Sequence, residues 1–304
     1  MLTVGDLSLH QLTFLASRGR FFFDVGPFRL CLKTAVRSLI HFFHRFYADF
    51  PTQDRIDFAD FHIHIGRPRF FRRWVRPQVF FEWDGHRPFH PYPLNMAVPL
   101  FEWGLNWCIA GHAHGWLLIH AAVLEKNGKA CLLAAKPESG KSTLCALLTG
   151  RGWRLLSDEL AMIEPGTCRV HPLPRPISLK GASIGVVRTL CPQLTVGALC
   201  RNRETGERMA YGKPPAEAVE RMRETAEVSW LVFPRFQSRA ALHAQGVPRS
   251  RALLALADNA FNHAVLGREG FETLAGVVER AAAWHVAYGE GEAVLRWFDE
   301  RIAA

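Results

Sequence analysis

The order of apolar and polar positions becomes regular in the second half of the chain. Residues 117–124 form an apolar run, Asn127-Gly128 supplies the positive φ angles of a tight turn, and residues 129–135 form a second apolar run. Two strands joined by such a turn form a β-hairpin, and runs that are apolar throughout are typical of buried strands. The pattern therefore predicts a buried hairpin in this region.

Strand-length and helix-length patterns alternate after the hairpin. A polar loop over 136–140 precedes a helical pattern over 141–148, and a short strand over 153–156 is followed by Ser157-Asp158-Glu159. Mixed strands, helices and hairpins indicate an α/β core with antiparallel elements. The other predicted elements are a hairpin over 160–164 and 168–171, a long loop over 191–215, a helix over 214–224, a strand over 228–233 that stops at Pro234, helices over 251–262, 270–284 and 290–302, and a strand over 284–288.

The first hundred or so residues follow a different pattern and are rich in aromatic side chains. A strand over 79–83 followed by Asp84-Gly85 predicts another hairpin, and a helix over 97–110 leads into the second half. We therefore predict two domains: an α+β domain over 1–112 of unknown role, and a larger α/β domain over 113–304.

Composition is that of a globular protein. The chain has 304 residues, of which 49% are apolar and 21% are charged. It shows no secretory signal and no run of about 18 uncharged apolar residues. The most apolar helix, over 97–110, carries Glu102. Seven cysteines occur without a C-x-x-C pair, which argues against a zinc or redox motif and suits a reducing compartment. We expect a cytoplasmic protein without a membrane partner.

The net charge of +9 has two interpretations, a partner rich in phosphate or carboxylate and a solvated basic surface. Basic and aromatic side chains alternate over 67–76, as in some single-strand nucleic-acid sites and also in a strand with one buried face. No fold signature of a nucleic-acid-binding protein accompanies this stretch, so we do not expect a nucleic-acid partner.

The segment 135–143 reads A-K-P-E-S-G-K-S-T and approximates the phosphate-binding loop G-x-x-x-x-G-K-[ST]. A loop between a strand and a helix turns backbone N–H groups toward an anion, and the helix N-terminus adds positive potential. The alternative is a chance S-G-K-S at a helix start. The residues predicted to bind nucleotide are Glu138, Ser139, Gly140, Lys141, Ser142 and Thr143.

Three departures from the loop pattern affect its chemistry. Ala135 replaces the first glycine, Pro137 removes an N–H donor, and Glu138 brings a negative charge. These changes could weaken binding of ATP, whose β- and γ-phosphates Lys141 would reach. The Ser142 hydroxyl is the expected ligand of Mg²⁺.

Two adjacent acids, Asp158 and Glu159, follow the strand after the phosphate-binding helix. The carboxyl ends of parallel strands meet in the ligand crevice of α/β proteins, so these acids should lie beside the phosphates. One would accept a proton from the attacking hydroxyl, and the other would hold Mg²⁺. The alternatives are a solvated turn and a helix cap at Asp158.

The combination of motifs resembles the core of the HPr kinase/phosphorylase family. The resemblance is carried by residues 120–123 (H-A-A-V), the Asn-Gly hairpin, the segment 135–143 and residues 154–159 (R-L-L-S-D-E). Residues 151–163 and 174–180 look most similar to the branch called HPr-kinase-related kinase A. His120 precedes Lys141 by 21 residues and Asp158 follows it by 17, as in that family.

The resemblance covers residues 115–185 and implies a P-loop, HPr kinase-like (PEP carboxykinase-like) core of mixed sheet with helices. It implies that Lys141 and Ser142 bind phosphate and Mg²⁺ and that Asp158 is the base. Glu159, which stands where the family has a second aspartate, would assist the metal. His120 would lie near the transferred phosphate or orient Asp158; a lone histidine on an apolar strand is otherwise more often a core residue.

Several further polar residues have two interpretations each. Arg175, Lys180 and Arg235 are candidate phosphate or acceptor contacts, and they are equally compatible with surface charge. Asn259 and Asn262 lie three residues apart on a predicted helix face, either as site residues or as a buried amide pair.

The expected activity is transfer of the γ-phosphate of ATP to a serine of a small protein or peptide. Candidate acceptors are an HPr-like protein and the peptide of a PqqD-type system, although the acceptor-binding signature of true HPr kinases is not clearly present. The alternatives are a small-molecule kinase acting on a free-serine-type substrate, and a nucleotide-binding regulatory module without turnover. The assemblies of the parent family make a homo-oligomer plausible.

Overall fold

The computed structural model describes residues 1–53, 58–68, 75–136, 138–202 and 205–302. Pro137 and most of the predicted basic and aromatic stretch, residues 69–74, lie outside the described residues. The described residues form a mixed α/β structure with three sheets, which confirms the predicted class at this level. No helix in the described part of the chain is long and apolar enough to cross a membrane.

Eighteen strands and nine helices are assigned within the described residues. The strands are β1 (Phe21–Val25), β2 (Phe28–Thr34), β3 (Thr52–Gln53), β4 (Phe61–Gly66), β5 (Gln78–Trp83), β6 (Tyr92–Pro93), β7 (Leu117–Ile119), β8 (Ala121–Lys126), β9 (Lys129–Ala134), β10 (Arg154–Ser157), β11 (Ala161–Ile163), β12 (Arg169–His171), β13 (Ile177–Lys180), β14 (Cys200–Arg201), β15 (Arg208–Gly212), β16 (Ala226–Phe236), β17 (His243–Gly246) and β18 (Ala282–Tyr288). The helices are α1 (Leu9–Ser17), α2 (Arg37–Phe46), α3 (Ala97–His112), α4 (Lys141–Gly150), α5 (Ser183–Leu190), α6 (Ala216–Glu220), α7 (Arg249–Ala257), α8 (His263–Arg280) and α9 (Gly291–Arg301).

The first half of the chain builds a six-stranded sheet in the order β3-β1-β2-β4-β5-β6. Only β2 and β4 run parallel within it. Aromatic side chains fill its core: the Phe43 ring of α2 meets the rings of Phe21 and Phe23 edge-on, with centroids 5.5 and 5.1 Å apart. The predicted turn at Asp84-Gly85 is confirmed by φ angles of 44° and 82°.

The second half builds a nine-stranded sheet with helices on both faces. Its order is β10-β8-β9-β16-β12-β11-β7, while β18 pairs with β16 and β17 pairs with β18. Successive side chains of a strand point to opposite faces. Accordingly, Cys131 and Leu133 of β9 pack in the core that includes α4, α5 and α9, whereas Leu132 packs in the core that includes α7 and α8.

The predicted hairpin at Asn127-Gly128 is confirmed, since β8 and β9 pair antiparallel around it. The predicted continuous strand over 117–124 is wrong, because His120 divides it. The backbone N–H of His120 donates to the Asn259 carbonyl at 2.7 Å. As a result β7 pairs with β11, whereas β8 pairs with β9 and β10.

The predicted long loop over 191–215 is also wrong. It contains β14 and β15, which form a three-stranded sheet with β13 in the order β13-β15-β14. Charged and glycine residues suggested a loop, but Met209 and Tyr211 alternate with exposed or small residues and are buried. Ala210 is buried as well and packs in a different core from Tyr211, so both faces of β15 are packed.

The strand predicted to stop at Pro234 continues to Phe236. Pairing with β9 ends at Val232, whereas pairing with β18 continues through Pro234. Beyond Val232 the strand therefore has a neighbour on one side only, where the missing N–H of a proline is tolerated.

The helix predicted over 251–262 ends at Ala257, and α8 begins at His263. Asn259 and Asn262 thus lie in the connection and do not share a helix face. The Asn262 amide is buried and bonds to β7, accepting from the Leu118 N–H at 2.9 Å and donating to the Trp116 carbonyl at 2.8 Å. The sequence pattern allows Asn262 either as a site residue or as part of a buried amide pair. These hydrogen bonds make it a buried structural amide.

A buried ion pair joins neighbouring strands at the edge of the large sheet. Arg154 of β10 and Glu125 of β8 lie 2.6 Å apart, and their side chains are 4% and 5% exposed. Arg154 also donates to the carbonyl oxygens of Arg221 and Glu224 at 3.0 and 3.1 Å. Loss of Arg154 would leave the buried Glu125 carboxylate with the weaker ion pair to Arg221, at 3.9 Å.

We expect Arg154→Met to lower the free energy of unfolding by up to about 3 kcal/mol, because the buried Glu125 carboxylate then keeps only the longer ion pair with the partly exposed Arg221, at 3.9 Å, among the described residues. The matched control is Arg268→Met, which breaks an ion pair with Glu272 whose side chains are 89% and 59% exposed. That change should cost less than about 1 kcal/mol. Denaturant unfolding measures both, and equal losses in the two variants would contradict the assignment.

Candidate functional site

The predicted phosphate-binding loop connects the C-terminal end of β9, an inner strand of the large sheet, to α4. Gly140 precedes the first turn of α4 with φ of +91°, a conformation that glycine adopts without strain. A Cβ at Gly140 would lie 2.9 Å from the Tyr288 hydroxyl and 3.1 Å from Cβ of Phe236. The Phe236 N–H donates to the Ser139 carbonyl at 3.0 Å, so the loop is attached to the end of β16.

Lys141 is buried at the start of α4. Its ammonium group donates to the carbonyl oxygens of Ala135 and Lys136, the second at 3.3 Å. Burial lowers the pKa of Lys141, and the negative charges of Asp158 and Glu159 oppose that effect. The lysine is therefore held in a poorly hydrated position within the field of both predicted acids.

The other predicted nucleotide-binding residues surround this lysine. Ser142 and Thr143 lie half-buried in the first turn of α4, Ser139 is half-buried in the loop, and Glu138 is exposed with φ of +65°. The first N–H groups of a helix have no partner within the helix and carry positive potential, which favours an anion. Since Glu138 is exposed, water screens its charge from this position.

Asp158 follows β10 and is only 6% exposed. Its Oδ2 accepts from the Ser178 N–H at 2.9 Å, whereas Oδ1 has no hydrogen-bond partner among the described residues. Burial, followed by the neighbouring charge of Glu159, raises the pKa of Asp158 to about 7. The Ser178 N–H, the Ser142 hydroxyl and Lys141 act in the opposite direction. A carboxyl group with this pKa can gain and lose a proton near neutral pH.

Glu159 lies beside Asp158 and is half-buried. Its Oε2 accepts a hydrogen bond from the side-chain amide of Asn106, a residue of α3 in the first half of the chain. The sequence pattern did not single out Asn106. Its spacing of four residues from Glu102, in an otherwise apolar helix, was the available signal.

His120 lies between β7 and β8 and its ring stacks on Phe261, with centroids 5.9 Å apart. Burial, followed by the positive charge of Lys141, lowers the pKa of His120, and Glu159 opposes this change. The imidazole is thus neutral near pH 7 and lies within electrostatic range of Lys141 and Glu159. This places the histidine that the resemblance singled out close to the phosphate-binding loop.

The three predicted basic contacts occupy different positions. Arg175 is 6% exposed and pairs with Glu102 at 3.1 Å. Both residues line a small pocket together with Asp158 and Glu159. Lys180 is exposed at the end of β13, and its charge contributes to the lowered pKa of His120. Arg235 is exposed near the end of β16 and lines a cleft beside the loop.

That cleft has a volume of about 1290 Å³. It extends from the phosphate-binding loop across the ends of β16 and β17 to α7 and the connection that holds Asn259. His120, Arg235 and His285 line it together with the aromatic rings of Phe236 and Phe261, which are 49% and 54% exposed. The cleft offers both cationic and aromatic surface next to Lys136 and Ser139.

The donor atoms at the loop suit a hard cation such as Mg²⁺. The Ser142 hydroxyl and the Glu159 carboxylate offer oxygen atoms of the kind that Mg²⁺ prefers, and Mg²⁺ in phosphate sites takes few protein ligands beside phosphate oxygens and water. Among the described residues no group of three or more His, Cys, Asp and Glu side chains is placed to hold a metal ion.

Comparison with protein families gives one match, to the family described as "SynChlorMet cassette protein ScmC", over residues 106–244. A comparison with curated proteins gives no match. Among solved structures, the Hpr(Ser) kinase/phosphatase from Coxiella burnetii is similar at 10% identity and a TM-score of 0.27, covering 60% of this chain and 97% of that chain. This likeness is distant.

The raised pKa of Asp158 predicts that Asp158→Asn stabilises the protein, increasingly so at higher pH. The folded-state pKa of about 7 lies above the ordinary 3.8, so the unfolded chain releases this proton first and wild-type stability falls between these values. Asparagine carries no such cost and can still accept from Ser178.

We expect the difference in unfolding free energy between Asp158→Asn and wild type to grow by roughly 2–4 kcal/mol from acidic to mildly alkaline pH. Denaturant unfolding in the presence of a metal chelator measures the difference. A difference that is constant with pH would show that Asp158 ionises normally in the folded state.

Proposed function

We propose that this chain is an HPr kinase-like P-loop kinase that transfers the γ-phosphate of ATP to a serine hydroxyl of a small protein or peptide. The observation that carries the proposal is the placement of Asp158 within the field of Lys141 at the N-terminus of α4, where Asp158 is buried and one of its oxygens has no hydrogen-bond partner in the described part of the chain. An anion-binding helix start and a base of suitable pKa are the two elements that phosphoryl transfer to a hydroxyl requires.

The strand directions support this assignment. β9 and β16 are parallel, β16 and β18 are parallel, and β10 runs in the direction of β9 because both are antiparallel to β8. The loop, the acids and Arg235 therefore follow strand ends at one edge of the sheet, where α/β proteins place ligands. This topology supports the predicted approach of the acids to Lys141.

In the proposed reaction, backbone N–H groups at the start of α4 and the Lys141 ammonium hold the β- and γ-phosphates. Lys141 would exchange its two loop carbonyl partners for phosphate oxygens. The Asp158 carboxylate accepts the serine proton as the serine oxygen bonds to the γ-phosphorus, while the bond from that phosphorus to the β–γ bridging oxygen breaks and ADP leaves. Mg²⁺, held by Ser142 and Glu159, would neutralise phosphate charge.

Neutral His120 suits a position next to the transferred phosphate, because it can donate one hydrogen bond without competing with Lys141 for the anion. Lys180, whose charge acts on His120, and Arg235, which lines the same cleft as His120, are candidates for contact with phosphate or acceptor. Arg175 is paired with Glu102. It would affect the electrostatic environment of the two acids without contacting the phosphate.

The cleft favours a polypeptide acceptor over a free amino acid. A site for a free-serine-type substrate needs only a small closed pocket, whereas this cleft has a volume of about 1290 Å³ and two exposed aromatic rings. Part of that volume would be taken by the nucleoside of ATP. The remainder is sufficient for an extended segment that carries the serine.

One observation favours a second candidate, a nucleotide-binding module without turnover. The Lys141 ammonium bonds to carbonyl oxygens of its own loop, so nucleotide must displace these contacts to reach it. A protein in which this exchange is incomplete would bind nucleotide without aligning the γ-phosphate.

Transfer of labelled γ-phosphate to candidate acceptor proteins, serine peptides and free serine tests the proposal. We expect Asp158→Asn to lower the transfer rate by about 10²–10⁴-fold with little change in ATP affinity, because it removes the base. Lys141→Met should weaken both ATP binding and transfer. The control is Asp299→Asn, which removes a 45% exposed carboxylate on α9 and should leave the rate unchanged.

Wild-type transfer rates in Asp158→Asn would refute the base assignment. ATP binding by calorimetry without transfer or hydrolysis in wild type would instead favour the module without turnover. Since Asp158→Asn is expected to be at least as stable as wild type, unfolding would not account for its loss of activity.

A further inference from the structure

Helix α3, in the first half of the chain, places two polar side chains toward the two acids of the candidate site. Glu102 and Asn106 are four residues apart and lie on one face of the helix. Glu102 is only 5% exposed. A buried carboxylate is costly unless it is paired, so its partners indicate what the helix face is for.

Both oxygens of Glu102 have donors. Oε1 accepts from the Tyr47 hydroxyl at 2.8 Å, and Oε2 accepts from Nη1 of Arg175 at 3.1 Å. Tyr47 is fully buried beyond the end of α2, and Arg175 precedes β13. The guanidinium is therefore held in place by residues of the first half of the chain.

The same guanidinium determines the orientation of Asn106. Nη2 of Arg175 donates to Oδ1 of Asn106, and a guanidinium has no acceptor. The amide oxygen must therefore face Arg175, so the amide N–H₂ faces the opposite way and donates to Oε2 of Glu159. This hydrogen-bond chain, Tyr47–Glu102–Arg175–Asn106–Glu159, has a defined donor direction at every step.

We propose that Asn106 is a positioning residue that holds Glu159 in the orientation needed to bind the divalent cation of the nucleotide complex. This inference rests on the proposed function, which makes Glu159 a metal ligand. Asn106 acts through the Glu159 carboxylate and does not touch substrate. A carboxylate fixed at one oxygen leaves the other free for the metal, and residues that orient metal ligands typically contribute 10–100-fold to metal affinity.

The proposal gives the first half of the chain a share in the site. Tyr47, Glu102 and Asn106 precede the phosphate-binding core in the sequence. The hydrogen-bond chain that they help to form nevertheless ends at Glu159, one of the two acids of that core. A role confined to stability makes a different prediction: loss of Asn106 would then weaken folding and leave cation affinity unchanged.

The test is titration of the full-length chain with Mn²⁺, a paramagnetic substitute for Mg²⁺, in the presence of an ATP analogue with an imido group between the β- and γ-phosphates. Electron paramagnetic resonance reports the bound and free cation without any turnover. Asn106→Leu preserves the approximate volume and removes both hydrogen bonds. Asn106→Ser, a smaller change, also loses the amide and covers the case in which the leucine variant does not fold.

The matched control is Asn95→Leu. Asn95 is exposed and donates to the Arg201 carbonyl at 2.8 Å, away from the two acids. We expect the Mn²⁺ dissociation constant of the nucleotide complex to rise about 10–100-fold in the Asn106 variants and to stay at the wild-type value in Asn95→Leu.

Wild-type affinity in a folded Asn106 variant overturns the inference, as does a wild-type chain that binds no Mn²⁺ with the nucleotide analogue. The proposed function is tested separately, by transfer of phosphate to an acceptor. If wild type binds the cation in an Asn106-dependent way but transfers no phosphate to any acceptor, the inference stands and the kinase proposal fails.

Discussion

The direction of strand β9 is the constraint on which the candidate site depends. β9 leaves the Asn127-Gly128 turn, lies between antiparallel β8 and parallel β16, and leads directly into the loop before α4. Because side chains on both faces of β9 are buried under helices, neither its register nor its direction can change without exposing apolar surface. The ends of β10 and β16 then reach the same edge of the sheet, and the predicted phosphate-binding loop, a buried acid and exposed cations come together there.

Burying the opposite charges of Asp158 and Lys141 at this edge lowers the stability of the fold. Such a cost is typical of residues that take part in a reaction. One oxygen of Asp158 lacks a hydrogen-bond partner within the residues that the structure describes, and the pKa of Asp158 is about 7; Lys141 is desolvated, although each charge favours ionisation of the other. Elsewhere the chain neutralises buried charge more fully, as at Arg154 and Glu125. Incomplete pairing of groups that are poised to exchange partners or protons is characteristic of functional sites, where stability is sacrificed for reactivity.

Local patterns predicted the parts of this arrangement that depend on local physics. The Asn127-Gly128 turn and the loop that ends at Gly140 require particular backbone angles, and residue type reveals these directly. The division of a strand at His120 depends on a carbonyl of Asn259, and continuation of β16 through Pro234 depends on where β9 ends. Such features are set by partners distant in the sequence, so no local pattern could have predicted them.

Contacts between residues distant in the sequence also join the two halves of the chain. The boundary between these halves near residue 112 stays a prediction. One hydrophobic core contains Phe23 and Phe101 from the first half together with Leu160 and Leu173 from the second. The buried pair of Glu102 and Arg175 crosses the same contact. Separating the halves would break this pair and expose the apolar surface of the shared core. A first half held in this way can orient Glu159 through Asn106, because the hydrogen-bond chain crosses the same contact.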